Sequence, residues 1–205
     1  MGLYDNYGSW NYCEISLPEG AWEWCYSAEA LQKALEAVFP GQRVKGLYVA
    51  LHEYTQSVLS RPNVVDLSYT GGVSLLLSEN AALALRFRGE GMAEYRLLPA
   101  EGITVREISG FLPDDMVGNW RYFFDLLHHE RTCGYAGQRA ERVRVPRTTV
   151  WALPTPGFDE DRGDMAGAAF DLPGEVYFTL ENGVSIRFIG DETEYYCILL
   201  EPGQR

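Results

Sequence analysis

The chain has 205 residues, of which 46% are hydrophobic and 13% aromatic, enough to build a substantial core in one large domain or two small ones and too apolar for a disordered chain. Its 29 acidic residues against 17 Lys and Arg give a formal net charge of −12, which argues against binding the phosphates of nucleic acid or an anionic membrane surface. No apolar run reaches the roughly 18–20 residues that span a bilayer, and MGLYDNYGSWNYCEIS has neither the basic nor the apolar region of a secretory signal, so a cytoplasmic location is expected.

In chain order, the segment Glu14-Ile15-Ser16-Leu17-Pro18-Glu19 reads as an opening strand. Ser27 is an N-cap before AEALQKALEAVF, whose Leu31, Leu35, Val38 and Phe39 share one helical face, with Pro40-Gly41 as the stop. VKGLYVALHEY then reads as a strand, and His52-Glu53-Tyr54 at its end is a candidate binding site. Downstream, ENAALALRFRGEGMAEYRLLPAEG reads as two strands of a meander. A three-residue loop there, with Gly91 in the left-handed conformation, places Arg86 opposite Glu94 and Leu85 opposite Tyr95.

The second half repeats much of this order. Glu107-Ile108-Ser109 and Leu112-Pro113-Asp114 resemble the opening strand, and Trp120, Phe123, Phe124 and Leu127 have the spacing of a core-facing helix. His128-His129-Glu130 would lie at that helix's C-terminus. Two adjacent histidines on a helix diverge by about 100°, so they do not converge on a metal, and no zinc spacing is present. RVRVPRTTVWAL reads as the following strand, with Arg139, Arg142, Arg144 and Arg147 as a basic stretch. Asp159, Glu160, Asp161 and Asp164 form an acidic segment after Pro156, a second candidate binding site, without the ligand spacing of a calcium loop.

The chain closes on ENGVSIRFIGDETEYYCILLEPG, nearly the phrase of residues 79–102. At Glu181-Asn182-Gly183 a two-residue turn would mix polar and apolar residues on each face. A three-residue loop with Gly183 left-handed pairs Leu180 with Val184, Phe178 with Ile186 and Val176 with Phe188, all on one face. At the next turn a compact Gly190-Asp191 loop places Arg187 opposite Glu194 and Ile186 opposite Tyr195.

Matches in one order imply a tandem duplication, with a first repeat over residues 1–102 and a second over 103–205, packed as one unit with an approximate two-fold relation. The expected fold is α+β, each repeat a strand, a helix and a strand followed by a three-stranded antiparallel meander. Cys13, Cys25, Cys133 and Cys197 form no C-x-x-C pair and are expected as reduced thiols. No nucleophile elbow, phosphate loop or dinucleotide fingerprint occurs, and no cofactor or metal is expected. The functional expectation is a non-catalytic acidic module of the bacterial immunity or inhibitor kind, with a basic protein partner and neither nucleic acid nor membrane. The alternative is a small-molecule site or enzyme at the seam between the repeats.

Overall fold

The computed structural model describes residues 11–18, 23–25, 27–50, 56–61, 64–70, 73–88, 92–108, 121–128, 135–151, 169–173, 175–190 and 195–202. In the first half these form β1 (Asn11–Ser16), β2 (Glu23–Cys25), α1 (Ala28–Glu36), β3 (Val44–Ala50), β4 (Gln56–Arg61), β5 (Val64–Thr70), β6 (Ser74–Ser78), β7 (Ala81–Arg88) and β8 (Met92–Pro99). The second half gives β9 (Thr104–Ile108), β10 (Tyr122–Asp125), β11 (Ala140–Arg144), β12 (Arg147–Trp151), β13 (Ala169–Pro173), β14 (Glu175–Leu180), β15 (Val184–Gly190) and β16 (Tyr195–Pro202). The fold is therefore mostly β, with one α-helix and a 3-10 turn, Ala100–Gly102, among the described residues.

All ladders among the described residues are antiparallel. An eight-stranded sheet runs β2-β8-β7-β6-β3-β10-β1-β9, a six-stranded sheet runs β11-β14-β15-β16-β5-β4, and β12 and β13 pair with each other. The first sheet cannot be flat. β8 and β9 are six strand spacings apart in its order, about 29 Å at ~4.8 Å each. Yet only Ala100–Gly102 and Ile103 separate Pro99 from Thr104, a connection of at most about 19 Å. The sheet must curl, and the contacts agree: Arg96 Nη1 on β8 donates to the Pro18 carbonyl just after β1 at 2.8 Å. Gly102 packs so tightly on Pro18 that a Cβ there would lie 2.8 Å from Pro18 Cγ.

Curling sorts the side chains by strand parity. The inner face carries Cys13, Ile15, Tyr48, Ala50, Leu75, Ala82, Ala84, Leu98 and Phe123, all buried in one core. Small residues among them suit the tight interior of a curled sheet. Outward-facing Leu47, Val49, Leu76, Leu83, Leu85 and Phe124 join α1 and the six-stranded sheet in a second, larger core. Phe178 packs edge-on against Phe39 (5.2 Å between centroids) and Phe188 (6.2 Å) at its centre.

Several expectations hold at residue level. Ser27 caps α1 from an extended backbone (φ −129°, ψ 122°), its Oγ accepting from the Ala30 N–H at 3.3 Å, and Leu31, Leu35 and Phe39 are fully buried. Gly183 takes φ +78°, and β14 meets β15 with Val176 opposite Phe188 and Phe178 opposite Ile186, as the three-residue loop requires. β7 and β8 place Arg86 opposite Glu94 and Leu85 opposite Tyr95.

Others are corrected. Tyr122–Asp125 is a strand, not a helix; Phe123 faces the inner core and Phe124 the outer one. Aromatic residues buried on both sides favour a strand between two cores, where a 3.6-residue pattern and a continuous apolar run look alike. His128 accordingly follows a strand rather than ending a helix. The stretch read as one strand after Arg142 is two, β11 and β12, broken at Pro146, which has no N–H to give a ladder. Arg187 stands opposite Leu199, not Glu194, and Gly190 opposite Tyr196, a slip of five residues from the expected register.

Two four-stranded segments share one plan. β3-β6-β7-β8 and β11-β14-β15-β16 have the same order, connectivity and antiparallel sense. In the first, Val44 pairs with Ser78 and then, after a bulge, Gly46 with Leu77. In the second, Ala140 pairs with Leu180 and then, after a bulge, Arg142 with Thr179. The last pairs also correspond, Ala81 with Pro99 and Val184 with Pro202. Between β3 and β6 the chain inserts the hairpin β4–β5; between β11 and β14 it inserts β12–β13.

Candidate functional site

The two segments meet where β3 and β11 begin. Arg43 and Arg139 form an isolated antiparallel bridge. The Val44 N–H donates to Gln138 O (2.9 Å) and the Ala140 N–H to Gln42 O (2.9 Å). The Gly137 N–H donates to Val44 O (2.8 Å) and the Gly41 N–H to Ala140 O (2.7 Å).

The side chains reciprocate in the same way. Arg43 Nη1 reaches Gly137 O at 2.9 Å and Arg139 Nη1 reaches Gly41 O at 2.7 Å. Glu79 accepts from the Arg43 N–H at 3.3 Å and Glu181 from the Arg139 N–H at 3.1 Å, while each glutamate's own N–H returns a bond to that arginine's carbonyl. Gly41 and Gly137 both adopt left-handed backbone, at φ +84° and +79°. The word Gly-Gln-Arg occurs at 41–43, 137–139 and 203–205, and its first two occurrences build this centre.

A second cluster lies on the inner face of the curled sheet, where β10 enters between β3 and β1. Asp125 stands opposite Tyr48 on one side and Asn11 on the other, and Cys13 stands opposite Phe123 and Glu107. Asp125, Glu107 and His128 thus come from beyond residue 102, and Tyr48, Cys13 and Asn11 from before it. Asp125 Oδ1 accepts from the N–H groups of Leu127 (3.1 Å) and His128 (3.3 Å), which closes the turn after β10. Its Oδ2 lies 2.5 Å from His128 Nδ1, with the carboxylate 9% and the imidazole 49% exposed. The Tyr48 ring lies over Gly46, where a Cβ would come within 2.3 Å of it.

Burial dominates the electrostatics here. It raises the Asp125 carboxyl above its ordinary range, with His128 and the two backbone donors pulling the other way. The same desolvation, reinforced by Asp125 and Glu107, pushes the Cys13 thiol up to about 12 and raises the Tyr48 phenol. Cys13 is therefore a protonated thiol at neutral pH, a poor nucleophile. The arrangement holds His128 against the Asp125 carboxylate and fixes the end of β10. Among the described residues, no group of three or more His, Cys, Asp and Glu could hold a metal ion.

His52, Glu53, Tyr54, Asp159, Glu160, Asp161 and Asp164 lie outside the described residues, as do His129 and Glu194. Arg187, expected to pair with Glu194, sends Nε to Glu175 at 2.5 Å and lies 5.8 Å from the Tyr177 ring centroid. Arg142 and Arg144 are exposed on β11, as the basic stretch suggested. Among the described residues, no helix is long and apolar enough to cross a membrane.

No protein-family model, curated protein or solved structure matches this chain.

Proposed function

We propose that the two four-stranded segments are copies of one ancestral unit, with repeats over 1–102 and 103–205 related by an approximate two-fold. Support comes from the shared strand order, the bulge at the same point of each and the reciprocal bonds around Arg43 and Arg139.

The protein itself we read as a non-catalytic acidic binding module of the cytoplasm, of the immunity or inhibitor kind, whose partner is a basic protein. The net charge carries this reading: 29 acidic residues stand against 17 Lys and Arg, a formal charge of −12. Charge of that sign favours encounter with a positively charged surface and disfavours acidic competitors.

The test is capture from lysate with a salt gradient, repeated with Asp159, Glu160, Asp161 and Asp164 changed to their amides. A basic protein that elutes earlier from the amide variant supports the reading. Retention indifferent to both salt and the four substitutions overturns it.

The Asp125–His128 pair favours a second reading, a small-molecule site at the seam, because both sides of the junction supply its residues. A ligand seen in native mass spectra and lost with His128→Gln would select it.

A further inference from the structure

The outer edges of the two units are filled differently. Along β16 the ladder is long: β5, the second strand of the hairpin inserted in the first half, pairs from Tyr195 opposite Thr70 to Leu200 opposite Val65. β8, the corresponding strand, is paired on its outer edge by β2 over three residues, Glu23 opposite Tyr95, Trp24 opposite Glu94 and Cys25 opposite Ala93. The counterpart of β5 is β13, the second strand of the hairpin inserted in the second half. It comes alongside β8, with Cα atoms within 8 Å, yet its ladder is with β12.

We infer that the outer edge of β8 is a strand acceptor whose full-length occupant is β13, and that β2 holds that edge as a displaceable stand-in. An isolated two-stranded ribbon is marginal in water until a third strand joins it or a helix packs on it. β4–β5 gains a third strand from β16; β12–β13 rests against α1 and beside β8 and has no third strand in its ladder among the described residues. Among the described residues β2 offers three residues to the edge and β13 five, so β2 is the shorter occupant, with fewer backbone hydrogen bonds to give.

The register follows from the copy reading proposed above, on which it rests. β8 corresponds to β16 with Tyr95 at the place of Ile198, and Asp66-Leu67 corresponds to Asp171-Leu172. Ile198 opposite Leu67 then becomes Tyr95 opposite Leu172, and Leu199 opposite Asp66 becomes Arg96 opposite Asp171. The transferred register sets opposite charges across the two strands, a favourable cross-strand pair. Since β2 already uses Glu94 and Tyr95, the two ladders are mutually exclusive.

Disulfide trapping in the full-length protein tests this. Ala93→Cys, opposite Cys25, should lock β2 on β8 rapidly under oxidised glutathione. Arg96→Cys with Asp171→Cys should lock β13 there more slowly, and the locked form should show amide exchange at Phe170–Leu172 slowed by about tenfold or more. Trp24→Pro, which weakens the β2 ladder, should accelerate the second cross-link several-fold. Failure of the second cross-link where the first forms, or a rate unmoved by Trp24→Pro, overturns the acceptor. A cross-link from Asp171→Cys to Glu94→Cys in its place keeps the acceptor and overturns the register taken from the copies.

Discussion

Gly41 and Gly137 offer a clean perturbation of the centre where the two units meet. Both hold left-handed backbone, at φ +84° and +79°, and a Cβ built on either would meet nothing within 4 Å. Alanine at these positions therefore costs backbone strain and no steric clash. Left-handed backbone costs an L-residue about 1–2 kcal/mol. Loss of glycine's freedom in the unfolded chain returns about 0.4–1 kcal/mol of that. Gly41→Ala and Gly137→Ala should thus each destabilise by about 1 kcal/mol, or about 2–4 °C in Tm for a chain of this size. Asparagine tolerates the left-handed region better, so Gly→Asn should cost less at both sites. Because each glycine carbonyl accepts from the arginine of the other unit, the double alanine variant should depart from additivity. Urea unfolding of the four single variants and the double variant gives all of these quantities. Alanine that is neutral at both positions, or costly at one and stabilising at the other, refutes the reasoning.

Asp125 makes stability depend on pH. Its folded pKa is raised by burial, so its contribution is fully present below the unfolded value, near 3.9, and is lost as pH rises through the folded value. Asp125→Asn keeps an oxygen for the Leu127 and His128 N–H groups, and its urea midpoint should gain on the wild type from about pH 4 toward neutrality; a constant difference would count against the assignment. Gln32 binds the edge of β11 like a peptide group, donating to Val143 O (2.7 Å) and accepting from the Val145 N–H (2.5 Å). Gln32→Ala should cost about 1–2 kcal/mol, and Gln32→Glu more, since a carboxylate cannot donate to Val143 and would face Glu36. Thermal melts in which the glutamate variant equals wild type would contradict this. Phe178→Ala, at the centre of the larger core, should cost about 3–5 kcal/mol, and a loss under 1 kcal/mol in urea unfolding would mean that the site collapses around the change.

The sequence exposed those features in which local chemistry and core burial agree. The Gly183 loop was legible because one of two possible registers puts six apolar residues on a single face, and that register is observed. The Arg187 register was not, because the run Tyr195 to Leu200 is apolar at nearly every position and slides without an alternation to stop it. The shared Glu-Tyr letters aligned the two phrases at Tyr95 and Tyr195, whereas the ladders align them at Pro99 and Pro202. A helix was legible where a cap, an amphipathic stripe and a stop coincide, as in α1. β10 lacked those boundary signals and was decided by burial on both sides, which only the tertiary structure supplies. The curl of the first sheet follows from a connection of a few residues between its distant strands, and no local pattern announces it.

The same alignment of ladders shows where the units part company. Positions facing the larger core are apolar in both: Leu76 and Phe178, Leu83 and Ile186, Leu85 and Phe188 meet there. Their opposite faces diverge. Leu75, Ala82, Ala84 and Tyr48 line the buried interior of the curled sheet, while Tyr177, Ser185, Arg187 and Arg144 stand at the corresponding places of the second unit. The first unit can be apolar there because β10, β1 and β9 extend its sheet past β3 into a curl that buries this face. In the second unit β11 is the edge, bonded by Gln32 of α1, and the corresponding face carries the buried Ser185, the exposed Arg144 and the half-buried Arg187 held between Glu175 and Tyr177. One plan thus yields a curled, apolar interior in one unit and a face bearing Arg144, Arg187 and Ser185 in the other. In sequence, the acidic run Asp159, Glu160, Asp161 and Asp164 falls between β12 and β13, within the second plan.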